Sequence, residues 1–305
     1  MKIPFVKYYK VWISIGLSTI VVSLVLLLSF GLKPGIDFTS GSLMEISFSE
    51  NRPSSEEVQK ALSDPIFKDA VIQKTGENEI ILRTKFLTED QHQELIKNLR
   101  SSFENDKRKI TEEGFETIGP VVSGQLKSRA AWAIVLVSLG IIAYLAYAFR
   151  KVSKPIASWK YGVMAIVAMV HDILLVLGIF ALLGHYFGVE IDVAFVVAIL
   201  TVLGYSVNDT IIVYDRIREN LLHHTGNSFG EIVNNGLNET LMRSINTTLT
   251  VLIPLFTLYF FGGLSLKNFT LALLIGMASG AYSSIFIASP LLILTEKWQD
   301  RLRKN

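Results

Sequence analysis

Cysteine is absent from all 305 residues, which excludes thiol catalysis, thiolate-bound metal and any disulfide framework. Charge is scarce: 18% of residues are charged, against the roughly 25% usual in soluble globular chains. Neither sign dominates, since 29 Lys and Arg against 27 Asp and Glu leave a formal net charge of +2, and a nucleic-acid-binding domain would carry a clear basic excess. Soluble-enzyme signatures are missing as well. There is no G-x-x-x-x-G-K-[ST] phosphate loop, no H-E-x-x-H and no G-x-S-x-G, so nothing points to ATP hydrolysis. His223-His224, and His185 with Glu190, lie in polar connections and read as solvated residues rather than metal ligands. No metal or cofactor is expected.

What the chain has instead is apolar length. Half of its residues are hydrophobic and its mean hydropathy is +0.42. Uncharged or nearly uncharged runs occupy residues 11–32, 130–149, 161–183, 191–214, 244–261 and 269–294. Runs of about 20 such residues, rising 1.5 Å each as helix, cross a hydrocarbon core of about 30 Å. Six membrane spans are expected, the first an uncleaved anchor. Lys and Arg set their direction, because short basic flanks stay in the cytoplasm. Such flanks are Lys2, Lys7 and Lys10 before span one; Arg150, Lys151, Lys154 and Lys160 after span two; Arg216, Arg218 and Arg243 around the connection from span four to span five; and Lys297, Arg301, Arg303 and Lys304 at the end. Both termini are therefore expected in the cytoplasm, with residues 33–127 outside. The division read from this is 1–32 for the N-terminus and first span, 33–127 for an extracytoplasmic domain, and 128–305 for the other five spans.

The outer segment reads as strand 43–49, helix 54–62, strands 70–73 and 79–84 joined by the turn Thr75-Gly76-Glu77-Asn78, helix 88–103 and strand 115–118. Ser54 with Glu57 and Thr88 with Gln91 have capping-box spacing. Strand-helix-strand-strand-helix-strand is the ferredoxin-like order. Between spans four and five, Phe229, Ile232, Val233, Gly236, Leu237 and Leu241 recur at helical spacing, suggesting an amphipathic helix along the cytoplasmic surface.

Ionisable groups inside spans are expensive and are functional candidates by default. Asn208 and Asp209 lie in span four, with Ile211, Ile212 and Val213 between them and the charged exit. Desolvation at that depth disfavours the charged carboxyl, and Arg243, heading span five, is the available cation. Arg243, Asn246, Thr247 and Thr250 follow i, i+3, i+4, i+7 spacing and share a face suited to hydrating a proton path. The alternative is a basic flank followed by threonines bonded to their own helix. Asp172, beside His171 in span three, reads either as a second proton group or as a hydrogen-bond partner in helix packing. Asp192 reads as a solvated cap. Span six carries the small residues Ala272, Gly276, Gly280, Ser284 and Ala288 at every fourth position, a stripe that lets another helix approach closely. Pro254 and Pro290 are candidate loosening points in spans five and six.

Four blocks of residues carry a resemblance. They are Gly35-Ile36-Asp37-Phe38-Thr39-Ser40-Gly41-Ser42; Tyr205-Ser206-Val207-Asn208-Asp209-Thr210 with the following Tyr214-Asp215-Arg216-Ile217-Arg218-Glu219-Asn220; Asn238-Glu239-Thr240-Leu241-Met242-Arg243-Ser244-Ile245-Asn246-Thr247; and Tyr282-Ser283-Ser284-Ile285-Phe286-Ile287-Ala288-Ser289-Pro290. In this order they resemble the SecF members of the SecD/SecF family of bacterial protein export. Ser40 and Ser42 stand where that family usually has Gly and Thr, and Glu239, Met242 and Ser244 also depart from its pattern. The resemblance implies a six-helix bundle, half of an RND-like fold, with a ferredoxin-like domain inserted between spans one and two. It implies that Asp209 and Arg243 belong to a proton-conducting site, and that Gly35, Asp37, Phe38, Thr39 and Gly41 form a structural motif. The implied location is the bacterial inner membrane. The implied partners are a SecD-like subunit, a SecYEG-type channel, YidC- and YajC-type accessories, the lipid bilayer and an unfolded polypeptide in transit. A half of an RND-type proton-antiport exporter and a passive scaffold are the competing readings.

Overall fold

The structure, a computed structural model, describes residues 3–62, 64–105, 108–148, 150, 156–223 and 228–304. His224, Lys2, Lys151 and Lys154 lie outside the described residues. The chain forms two compact units, Met1–Lys33 with Trp132–Asn305, and Pro34–Ala131.

A 3-10 turn, Phe5–Tyr8, leads into α1 (Tyr9–Phe30). Gly31, at φ 66, ends the helix. Lys33 is held by the bundle: its carbonyl accepts from the Ile191 N–H at 2.9 Å, and its ammonium lies 3.5 Å from the Glu190 carboxylate.

The second unit contains α2 (Ile36–Thr39), β1 (Gly41–Phe48), α3 (Ser55–Ala61), β2 (Val71–Thr75), β3 (Glu79–Thr84), α4 (Glu89–Phe103) and β4 (Ile110–Ile118). Its four strands make one antiparallel sheet in the order β2-β3-β1-β4. Side chains alternate across a strand, so Met44, Ile46 and Phe48 of β1 and Ile80 and Leu82 of β3 turn to one face. There they bury against Val58 and Leu62 on the α3 side and Leu95 and Leu99 of α4. Glu57 caps α3 by accepting from the Ser54 N–H at 2.8 Å, and Gln91 accepts from the Thr88 N–H at 2.9 Å. β4 starts five residues before its predicted position. The charged stretch Thr111-Glu112-Glu113-Gly114 hides a strand in sequence, but on a sheet edge it pairs with β1 through a bulge at Glu45/Ile46.

The α2 turn holds the glycine motif. Thr39 donates to the Gly35 carbonyl at 2.9 Å, and Gly41, at φ 141, approaches β3 so closely that a Cβ would lie 2.6 Å from the Thr84 carbonyl oxygen. Ser40 between them has φ 63 and ψ 157, a region that strains any residue with a side chain.

The remaining helices are α5 (Pro120–Ala148), α6 (Ser158–Phe187), α7 (Val193–His223), α8 (Phe229–Phe261), α9 (Leu264–Ser283) and α10 (Ser289–Lys304), the last two joined by a π-helical turn at Ser284–Ala288. Among the described residues six helical segments are long and apolar enough to cross a membrane, the sixth running from Leu266 to Leu302 through the π turn. Pro290 accounts for that turn, since its nitrogen cannot donate one turn back and the helix widens there. The Tyr214 hydroxyl takes up the Ala288 carbonyl at 2.9 Å.

One expectation is corrected. Among the described residues no separate surface helix lies between spans four and five: residues 229–241 are the first turns of α8, and Phe229, Ile232, Val233, Gly236 and Leu237 are buried. No helix breaker separates Leu241 from Ser244, so the amphipathic stretch continues straight into the span, with Gly236 set against Ile217 of α7. β4 ends at Ile118 and Pro120 is the first residue of α5, where its fixed φ suits a helix start.

Candidate functional site: two buried carboxyls

Asp209 is 3% exposed. Its Oδ1 accepts a 2.9 Å hydrogen bond from Ser244 of α8. Ser284 stands beside the carboxyl, but its hydroxyl is engaged with the Gly280 carbonyl and with Thr210, both at 2.9 Å. Asp209 Oδ2 is buried with no hydrogen-bond partner among the described residues. A buried polar atom without a partner is costly and marks a place where something changes or arrives.

Arg243 exerts its charge on Asp209 from a distance. No ion pair joins the two side chains among the described residues. Arg243 is exposed, as are Asn208, Asn246, Thr247 and Thr250. Thr247 donates to the Arg243 carbonyl at 2.9 Å and Thr250 to the Thr247 carbonyl at 2.8 Å, so these hydroxyls serve their own helix. Asn208 opens on a groove of about 350 Å³ lined by Val137, Gly140, Ile141 and Tyr144 of α5. The shared face is real, but within this chain it points outward while Ser244 reaches the carboxyl.

Asp172 is 0% exposed and surrounded by donors. Ser279 donates to Oδ1 at 2.6 Å, and Ser206 and Ser283 donate to Oδ2 at 2.6 Å each. His171 Nδ1 lies 3.1 Å from Oδ1, and its Nε2 lies 2.7 Å from the Thr19 hydroxyl. The cluster therefore joins α1, α6, α7 and α9. Asp192 caps the start of α7, accepting from the Phe195 N–H at 2.6 Å.

The small-residue stripe packs within the chain. Ala272, Ser284 and Ala288 are fully buried, Gly276 abuts Val202, and a Cβ on Gly280 would lie 3.1 Å from Ser206 Cα. Packing of α9 and the π turn against α6 and α7 sets Ser279 and Ser283 on Asp172 of α6 and Ser284 beside Asp209 of α7. Sequence reading missed Ser206, Ser279, Ser283 and Thr19; the i, i+4 spacing of Ser279 and Ser283, each one position before a residue of the stripe, was the available signal.

Six apolar helical segments around two sealed carboxyls define a multi-pass membrane protein with an ionisable interior. The description "Protein export membrane protein SecD/SecF, C-terminal" matches residues 98–298 and "SecD/SecF GG Motif" matches residues 25–51. The chain is 44% identical over 311 residues to the protein translocase subunit SecF of Thermobaculum terrenum, covering 98% of this chain and 95% of that protein. Against SecF of Anaerolinea thermophila it is 37% identical, covering 96% and 94%. The crystal structure of SecDF from Thermus superposes with a TM-score of 0.82 at 31% identity over 98% of this chain, which spans 39% of that longer one. The chain belongs to the SecF family of SecD/SecF protein-export membrane proteins.

Proposed function

We propose that this chain is a subunit of the Sec protein translocase accessory that uses the proton motive force to promote the late, extracytoplasmic stage of export. Asp209 alternates between an ionised form paired with Arg243 and a protonated form released from it, with Asn208, Asn246 and Thr247 lining the way. The observation that carries this reading is the sealed Asp209 with its Oδ2 unpartnered and Arg243 held apart, the arrangement the reading assigns to the protonated form. One proton crossing supplies about 2.3 kcal/mol per 100 mV, comparable to the few kcal/mol that bias a two-state element.

The fold is half of an RND-like bundle, and a SecD-like subunit supplies the other half. Uncovered Arg243, Asn246 and Thr247 support this, because polar groups at membrane depth need protein around them. A SecYEG-type channel, YidC- and YajC-type accessories and the polypeptide in transit are the remaining partners. In the bacterial inner membrane both termini face the cytoplasm. The 34–131 unit, ferredoxin-like in element order, lies outside and is moved through α1.

The test is proton-gradient-dependent export in membrane vesicles. Asp209→Asn is expected to abolish the response to the gradient while the subunit still assembles. Normal gradient dependence in that variant would leave a passive scaffold as the better reading.

A further inference from the structure

The contacts of His171 allow its protons to be counted. The Thr19 hydroxyl lies 2.8 Å from the Gly16 carbonyl of its own helix and 2.7 Å from His171 Nε2. Its one hydrogen satisfies only one of them. When it donates to Gly16, Thr19 offers the ring a lone pair and Nε2 must carry a hydrogen. Nδ1, 3.1 Å from Asp172 Oδ1, then also needs a proton on the line between them, or two lone pairs face each other. Three hydroxyl bonds of 2.6 Å to the carboxyl are of the length that an ionised acceptor produces. An imidazolium beside a carboxylate, neutral overall and tolerable in a dry interior, satisfies every one of these contacts.

The other arrangement is equally complete. If Thr19 turns its hydrogen from Gly16 to the ring, Nε2 accepts and its proton has gone. Nδ1–H still donates to Asp172, and the carboxylate keeps its three serine donors. No other contact has to break. We propose that His171 and Asp172 form a second proton-binding centre, distinct from Asp209, in which Nε2 gains and loses one proton and the Thr19 hydroxyl on α1 registers which state is present. The groups facing the pair are Thr19 from α1, Ser206 from α7, and Ser279, Ser283 and Tyr282 from α9. Asp209 follows Ser206 by three positions on α7. Among the described residues no other charged side chain contacts the pair. α1 is also packed tightly to α6, since a Cβ on Gly178 would lie 2.7 Å from Ser23 Cα, so a change at Thr19 acts on a closely fitted helix pair. The proposal rests on the proton-driven reading only for the use made of the second proton; the chemistry rests on these contacts.

The test is nuclear magnetic resonance of the full chain in lipid bilayers with 15N-labelled histidine, the His171 signals being assigned by their loss in His171→Asn. Between mild acid and mild alkali the ring is expected to pass from protonation at both nitrogens to protonation at Nδ1 alone. The same change is expected in Asp209→Asn, where failure of the Asp209 account would show itself separately as retained gradient-dependent export. Thr19→Val, which removes the acceptor for the Nε2 hydrogen, is expected to lose the doubly protonated signal at the pH where the unaltered chain shows it, and Thr19→Ser to restore it. A ring whose protonation stays constant over that range, a response that disappears in Asp209→Asn, or a response unaffected by Thr19→Val would each overturn the proposal.

Discussion

Ser206 and Asp209 stand one helical turn apart on α7 and belong to different polar centres: Ser206 donates to Asp172 at 2.6 Å, whereas Asp209 accepts from Ser244 at 2.9 Å. Donors that make a buried charge tolerable crowd around Asp172 and are largely missing around Asp209. Ser283 and Ser284 repeat the division on the facing helix, the first bonded to Asp172 and the second placed beside Asp209. A movement of α7 against α9 acts on both centres.

That asymmetry separates two substitutions. Asp172→Ala leaves three serine hydroxyls and an imidazole facing a void, and is expected to destabilise the bundle by about 3–5 kcal/mol, the usual cost of removing one member of a buried charged network. Asp209→Asn keeps an amide oxygen that can still accept from Ser244 and is expected to cost no more than about 1 kcal/mol. Denaturation of the purified chain in mild detergent checks the order; equal costs would mean that Asp209 is as structurally committed as Asp172.

Packing of α9 on α7 tolerates no added carbon at Gly276, where Val202 already occupies the Cβ position. Gly276→Ala is expected to destabilise by about 1–3 kcal/mol through overpacking. Gly124 in α5 has nothing within 4 Å of its would-be Cβ, and Gly124→Ala is expected to gain about 0.5–1 kcal/mol from helix propensity. Thermal unfolding of the two variants side by side checks the opposite signs.

Ser40 offers a gain in the second unit. Its φ of 63 with ψ of 157 belongs to a region essentially reserved for glycine, and Ser40→Gly is expected to stabilise the unit by about 1 kcal/mol. Slower amide exchange along β1 and β4 in the full chain is the readout.

The same unit should respond to pH through Glu45. Burial, followed by the nearby charges of Glu116, Glu79 and Glu113, raises its carboxyl above the ordinary value of 4.5. On acidification the folded state then takes up the proton before the unfolded state does. Stability from this group is fully present below 4.5 and is lost as pH rises through the folded value. Glu45→Gln is expected to remove that dependence and to stabilise the unit at neutral pH. Urea unfolding of the full chain across a pH series, followed by amide exchange in β1, reads both effects.

The helices and the acid were legible because their signals are local. Asp209 announces itself as a carboxyl three apolar residues inside a span, and β3 is found at residues 79–84 because a turn and an alternating run mark its ends. Ser244 was visible only as a departure from the family pattern, yet it is the residue that reaches the carboxyl. Ser206 and Thr19 carry no signal alone, because a serine or threonine inside a span ordinarily bonds its own helix. Their partners lie 34 positions earlier and 152 positions later in the chain, and only the close fit of α1, α7 and α9 around α6 brings them together. The continuous α8 was obscured for the opposite reason: a change from polar to apolar composition resembles a boundary, although a helix needs no break there.

Isotope-edited infrared difference spectroscopy of the chain in lipid, comparing acidic with alkaline medium, reads the protonation of Asp209 itself. The account predicts a carbonyl band of a protonated carboxyl that is present on the acidic side, disappears on the alkaline side and is missing at both in Asp209→Asn. A carboxyl at this position that holds one protonation state throughout, with the difference spectrum unchanged by Asp209→Asn, would contradict it.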